Sequence, residues 1–230
     1  MNVLIIGGSG GIGRTIVEAL LNEGAAVLNI DKGEYKNDSP SYSQMTVDLE
    51  GADIESLVRS VLDKQDVDVF INALGTYNVS DIDTFDVGDY KSTMAVNVDV
   101  PVRFAVPICR HMFERNSGKI VIIASCGAYS GSRDIPYSMA KSAMVGLVHG
   151  LAKNSKGKDV YIYGIAPGIV DTAMAWSMGE ERQNDTMNKT LGNRMCRPEE
   201  IAKLIRFLVC EEEGFMTGSV IHINGGMYFN

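Results

Sequence analysis

Seven short strand-like segments punctuate the chain, and most are joined by stretches whose apolar residues recur at helical spacing. The segments are 2–6, 26–30, 44–48, 67–71, 119–124, 160–165 and 219–223. Helices are expected over 13–24, 53–65, about 89–115, about 136–154 and 198–213. The first puts Ile16, Val17, Leu20 and Leu21 on one face, and Gly24 stops it. Residues 32–44 are polar, contain Pro40 and show little helical pattern. Strands alternating with amphipathic helices demand right-handed crossovers and a mostly parallel sheet covered on both faces. The expected architecture is a single α/β domain spanning 1–230, with no linker and no internal repeat.

Composition narrows the partners. A chain of 230 residues that is 45% hydrophobic can bury a sizeable core. Its formal net charge of −8, with Lys and Arg scattered, argues against nucleic acid and anionic membranes. Cys109, Cys126, Cys196 and Cys210 are far apart and show no metal-like spacing. No apolar run reaches spanning length, and the first residues lack the pattern of a signal peptide. These features point to a reduced, cytoplasmic chain without a metal site.

The segment IIGGSGGIGR joins the first strand to the first helix. Gly7, Gly11 and Gly13 there permit a tight turn, close approach of a phosphate and close packing of helix on strand. The helix N-terminus would face a pyrophosphate with free N–H groups and a favourable dipole. Asp31 ends the second strand. It either accepts hydrogen bonds from an adenosine ribose, which favours NAD over NADP, or caps a loop. Lys32 and Arg14 argue the other way on cofactor, so NADP stays open. Asp48 either touches the adenine edge or closes a turn.

Tyr137 and Lys141 are four residues apart, the spacing that shares a helix face, and Pro136 suits a first turn. A phenol with a pKa near 10 becomes a usable base beside a cation. Alone, the pair is equally an ordinary helix surface. Ser125 at the end of the fifth strand, Asn72 at the end of the fourth, and Pro167, Gly168 and Thr172 after the sixth all fall where open parallel sheets bind ligands.

Taken in order, GGSGGIG, Asp31, VD at 47–48, NALG, Asn97 in MAVNVDVP, Ser125, YSMAK, APGIVDT and TGSVIHINGG resemble the short-chain dehydrogenase/reductase family along essentially the whole chain. The resemblance implies a Rossmann-like, doubly wound domain with a seven-stranded sheet, and hydride transfer between a nicotinamide cofactor and a secondary alcohol or ketone. It makes Tyr137 the general acid/base and gives Ser125 the substrate oxygen. It gives Lys141 the nicotinamide ribose and a lowering of the tyrosine pKa, and Asn97 a relay water. Gly7, Gly11 and Gly13 would surround the pyrophosphate, with Asn72 near the adenosine ribose. Ile169 and Thr172 would bracket the nicotinamide carboxamide, and Ile12, Gly75 and Pro167 would also bind the cofactor. Homotetramers or homodimers packed through the helices around 90–115 and 136–154 are also implied.

This chain departs from the family pattern at Ile6, Ala73 and Tyr163, and Ser125 precedes Tyr137 by twelve residues rather than thirteen. Residues about 171–197 should form a substrate lid. Its Met174, Trp176, Met178, Met187 and Met195 either line an apolar pocket or pack the lid on the body or on another subunit. Tyr129 and Arg133 are placed to reach the substrate mouth, and Arg133 to hold a carboxylate, whereas Glu180, Glu181 and Arg182 read as a solvated face. Two rival functions stand beside the oxidoreductase. One is a nucleotide-binding sensor or scaffold with little turnover. The other is epimerisation or dehydration through transient oxidation.

Overall fold

The computed structural model describes residues 1–78 and 81–229. Seven parallel strands form one sheet in the order β3-β2-β1-β4-β5-β6-β7. They are β1 (Asn2–Ile6), β2 (Ala26–Asp31), β3 (Tyr42–Thr46), β4 (Val69–Asn72), β5 (Gly118–Ile123), β6 (Val160–Pro167) and β7 (Val220–Ile223). The strand order reverses between β1 and β4, so a crevice opens beyond their carboxyl ends.

Side chains of β1 alternate between two cores. Leu4 and Ile6 join Phe70, Ile120, Ile122 and Ile162 under the helices α2 (Ile54–Leu62), α4 (Val100–Arg115) and α6 (Ile135–Asn154). Val3 and Ile5 join Val69, Ile71, Val121 and Ile165 under α1 (Gly11–Asn22) and α9 (Pro198–Cys210). Every β4 side chain is buried. The edge strands β3 and β7 are half exposed, as each has a neighbour on one side only.

The first helix lies two residues earlier than 13–24 and the fourth strand starts two residues later than 67–71, and two further elements differ. The third strand lies two residues earlier than 44–48, because the parallel register that ends at Asp31↔Thr46 leaves Val47 and Asp48 beyond the ladder. The long helix expected over 89–115 is broken into α3 (Val87–Met94), a π turn (Ala95–Asp99) and α4. Such wide turns concentrate at functional sites. The remaining short helices are α5 (Gly127–Ser130), α7 (Ala173–Trp176) and α8 (Glu180–Met187). No helix is long and apolar enough to cross a membrane among the described residues.

Candidate active site

A cleft of about 590 Å³ lies beyond the carboxyl ends of β4, β5 and β6. It is lined by Ile12, Gly75, Ser125, Tyr137, Lys141, Pro167, Ile169 and Thr172, residues expected from the sequence to meet cofactor or substrate. Gly7, Gly11, Gly13, Asp31, Asp48, Asn72 and Asn97 lie outside its lining.

Helix α6 carries the reacting pair. Asp134 caps its first turn by accepting a hydrogen bond from Tyr137 N–H at 2.9 Å. Ser138 and Ser142, one turn apart, donate to the carbonyls of Gly127 and Ala128, each at 2.9 Å. They pin α5 and the preceding Ser125 against the pair. The Ser125 hydroxyl accepts from Gly127 N–H at 3.1 Å. Hence the twelve-residue spacing still brings Ser125 to Tyr137, and a hydrogen bond from the serine acts on the phenol.

Electrostatics correct one expectation. Burial pushes the Tyr137 hydroxyl up to about 12, and the Ser125 hydrogen bond only opposes this. The Lys141 ammonium lies 5.7 Å from the tyrosine ring centre and donates to the Ile123 carbonyl at 3.1 Å. In the protein alone it does not pull the phenol below its usual range. Lys141 is itself drawn down to about 8 by burial, being 4% exposed.

Two asparagines organise the turn after β4. Asn72 is fully buried; its amide accepts from Leu74 N–H at 3.2 Å and faces the Met144 sulfur. It shapes the turn after β4, whose Ala73 and Leu74 main chain packs against Gly7 of the glycine loop. Asn97, in the π turn, clamps Thr76 from both sides, accepting from its N–H at 2.7 Å and donating to its carbonyl at 2.8 Å. The clamp uses one acceptor site and one donor of the carboxamide and leaves one of each.

The glycine loop is built from both neighbours. Gly7 has a φ of 83°, and a Cβ there would fall 2.5 Å from Leu74 N. A Cβ on Gly13 would fall 2.1 Å from the Gly7 carbonyl oxygen, so α1 can approach the loop only with glycine. Two side chains of β2 hold the loop: Asn29 accepts from Gly8 N–H and Asp31 from Ser9 N–H, each at 2.9 Å. Asn29 escaped sequence reasoning; a polar residue inside an apolar strand was its only signal. The other Asp31 oxygen accepts from Gly33 N–H at 2.8 Å, so Asp31 does cap a loop. A carboxylate has about four acceptor sites, so room remains for a ribose. Asp48 is exposed and closes a turn onto Glu50 N–H at 3.1 Å.

Whether these residues suit a nicotinamide dinucleotide can be tested on α1. Helices α2, α3 and α6 are capped by Asp53, Asp86 and Asp134, and α9 by a capping box. Helix α1 begins at Gly10 with no side-chain cap and no acid in its first turn, and Gly11 packs against Thr172 at the cleft. An open, unopposed helix N-terminus fits a pyrophosphate.

On the substrate side the lid only partly meets expectation. Met174 and Met178 line the cleft, while Met187 and Met195 pack around Ile169 and Ala175. Trp176 is 58% exposed and donates to Asp171 at 2.9 Å. Arg133 lines the mouth, but Tyr129 stacks with His222 and Tyr228 instead. Arg182, expected on a solvated face, lines the cleft. It donates to the Tyr77 hydroxyl at 3.4 Å, and the Tyr77 ring meets the Tyr137 ring edge-on at 5.1 Å. Tyr77 and Arg182 carry no motif and are distant in sequence, so no local signal marks them.

Comparison with known proteins agrees with this geometry. The family model described as short chain dehydrogenase matches residues 1–183. The 3-oxoacyl-[acyl-carrier-protein] reductase FabG of Vibrio cholerae is 26% identical, with 98% of this chain and 96% of that protein covered. The acetoacetyl-CoA reductase of Allochromatium vinosum is 27% identical, with 99% and 98% covered. The crystal structure of a short chain dehydrogenase family protein from Francisella tularensis superposes with a TM-score of 0.86 at 27% identity, covering 98% of both chains. With the family model matched over most of its length and the fold reproduced throughout, the chain belongs to the short-chain dehydrogenase/reductase family of NAD(P)-dependent oxidoreductases.

Proposed function

We propose that the protein reduces a ketone to a secondary alcohol, with Tyr137 as the proton donor. The observation that carries this reading is the convergence of Ser125, Tyr137 and Lys141 on one cleft. When bound, the nicotinamide supplies the hydride that reaches the carbonyl carbon. Ser125 orients the carbonyl oxygen, and Tyr137 delivers the proton that completes the hydroxyl. A phenol held at about 12 is protonated at neutral pH and so begins as an acid. This matches the reductive direction, as do the names of the two curated relatives. Lys141 returns charge and proton to the tyrosine and holds ribose hydroxyls.

The preferred cofactor in this reading is NAD. Asp31 sits where a 2′-phosphate would meet a carboxylate. Of the two opposing cations, Arg14 is engaged and Lys32 makes only a long, exposed pair. Arg14 donates to the Ser9 carbonyl at 2.7 Å and lies over the Tyr35 ring, and Lys32 pairs with Asp48 at 3.8 Å. A cytoplasmic homodimer or homotetramer, joined through α4 and α6, completes the proposal. Val106 and Met139 are exposed on those helices.

The test is a fluorescence titration with NADH and NADPH, followed by ketone reduction with wild type and Tyr137→Phe. NADH should bind more tightly, and the variant should lose about 10²–10⁴-fold in turnover while keeping its cofactor affinity. Tighter NADPH binding would overturn the role of Asp31. Binding without turnover on any ketone would return the sensor reading.

A further inference from the structure

We propose that the ketone carries a carboxylate and that Arg182 binds it, which makes Arg182 the residue that selects the substrate. The inference rests on the oxidoreductase reading above and names its substrate class. Arg182 is 15% exposed, more buried than any other arginine that forms an ion pair among the described residues. Yet its contacts are loose. Tyr77 Oη lies at 3.4 Å and Asp81 at 3.6 Å. Arg115, Arg194 and Arg206 each reach a carboxylate oxygen at 2.9 Å or closer. Arg197 also has a long pair, at 3.7 Å, but is 69% exposed and solvated. A guanidinium largely withdrawn from water needs close, charged partners. Its planar fork matches a carboxylate in two-pronged contact.

Asp81 faces Arg182 through Oδ2 alone. Its Oδ1 is held by its own turn, accepting from Asp83 N–H, Thr84 N–H and the Thr84 hydroxyl. The Thr84 hydroxyl is also the main reason its pKa is lowered. Asp81 therefore keeps its place when Arg182 turns to another anion. Asp134 also faces Arg182; its carboxyl is fully buried behind the first turn of α6, with Oδ1 taking Tyr137 N–H and Oδ2 without a hydrogen-bond partner among the described residues. At the mouth Arg133 and Lys189 outnumber Asp185, so the entrance favours an anion. Tyr77 spans the gap, touching Arg182 at its hydroxyl and Tyr137 at its ring. A compact oxo acid would thus span from Ser125 and Tyr137 to Arg182, with Met174 and Met178 against its apolar part.

The experiment uses 2-, 3- and 4-oxohexanoate, each against its own methyl ester, with wild type, Arg182→Met and Arg182→Lys. For at least one isomer the wild-type kcat/KM should favour the acid by about tenfold or more, the scale of a charge-assisted two-pronged bond. Arg182→Met should bring that ratio close to one, and Arg182→Lys should restore only part of it. Calorimetric binding of the same compounds to protein loaded with oxidised cofactor needs no turnover. It should show the same preference, lost in Arg182→Met. If none of these compounds is reduced, calorimetry still decides the role of Arg182. Equal binding of acid and ester, no binding of either, or a preference that survives Arg182→Met would overturn the proposal.

Discussion

The central strands and the lid contrast sharply. β1, β4 and β5 present nearly continuous buried side chains to two cores, and the end of β5 and the turn after it hold Lys141 and Ser125 through hydrogen bonds of 3.1 Å. The lid, between β6 and α9, buries Ile169, Ala175 and Met195 as a small satellite core besides Val170, Gln183 and Thr190, and leaves Trp176 and Leu191 exposed. It is tied down by polar contacts: Gln183 donates to the Trp176 carbonyl at 3.0 Å, and Arg182 bonds Tyr77. Chemistry needs groups fixed within fractions of an ångström, which dense packing supplies. Substrate choice needs a surface that can open and vary, which sparse packing allows.

The largest effect that should expose this contrast is on stability. Ile71→Ala, in fully buried β4, should cost about 2–5 kcal/mol by denaturant titration. A smaller loss would mean that the sheet is not the rigid half. Lys141→Met should separate function from stability. Turnover should fall about 10²-fold or more, since proton transfer loses its cation. At pH 7, however, the variant should be at least as resistant to urea as wild type. The sign follows from the depressed pKa: below about 8 the buried ammonium is charged and its desolvation cost is fully present. That cost fades as pH rises from about 8 towards the unfolded value, so any gain should vanish at alkaline pH. In the wild type, reduction should decline above pH about 8 as Lys141 loses its proton. A flat profile to pH 10 would remove the ammonium from the mechanism. The smallest effect belongs to the lid. Leu191→Ala, at a site 79% exposed, should change stability by no more than about 0.5 kcal/mol. A larger change would show that the lid shares the core's cooperativity.

Particular residues show what could be read in advance. β1, β2, β4, β5, β6 and β7 are legible because apolar runs mark buried parallel strands. β3 is misplaced because a half-exposed edge strand lacks such a run. The break at Ala95–Asp99 is invisible because a π turn leaves helical spacing nearly intact on either side. Ser125, Tyr137, Lys141 and the glycines are legible because each has a motif tied to a strand end or helix start. The inward turn of the Asn72 side chain onto Leu74 N–H is not legible, because a strand-end position does not reveal which way a side chain turns.

The sequence alone determined the order of strands and helices, the open start of α1 and the spacing of Tyr137 and Lys141, because these depend on local periodicity and on residues close along the chain. Tertiary structure decided what surrounds them: the burial that holds the Tyr137 proton, the Asn97 clamp on Thr76, and the placement of Arg182 against Tyr77. Those features depend on segments brought together by packing across the sheet, and such contacts leave no periodic trace in either segment.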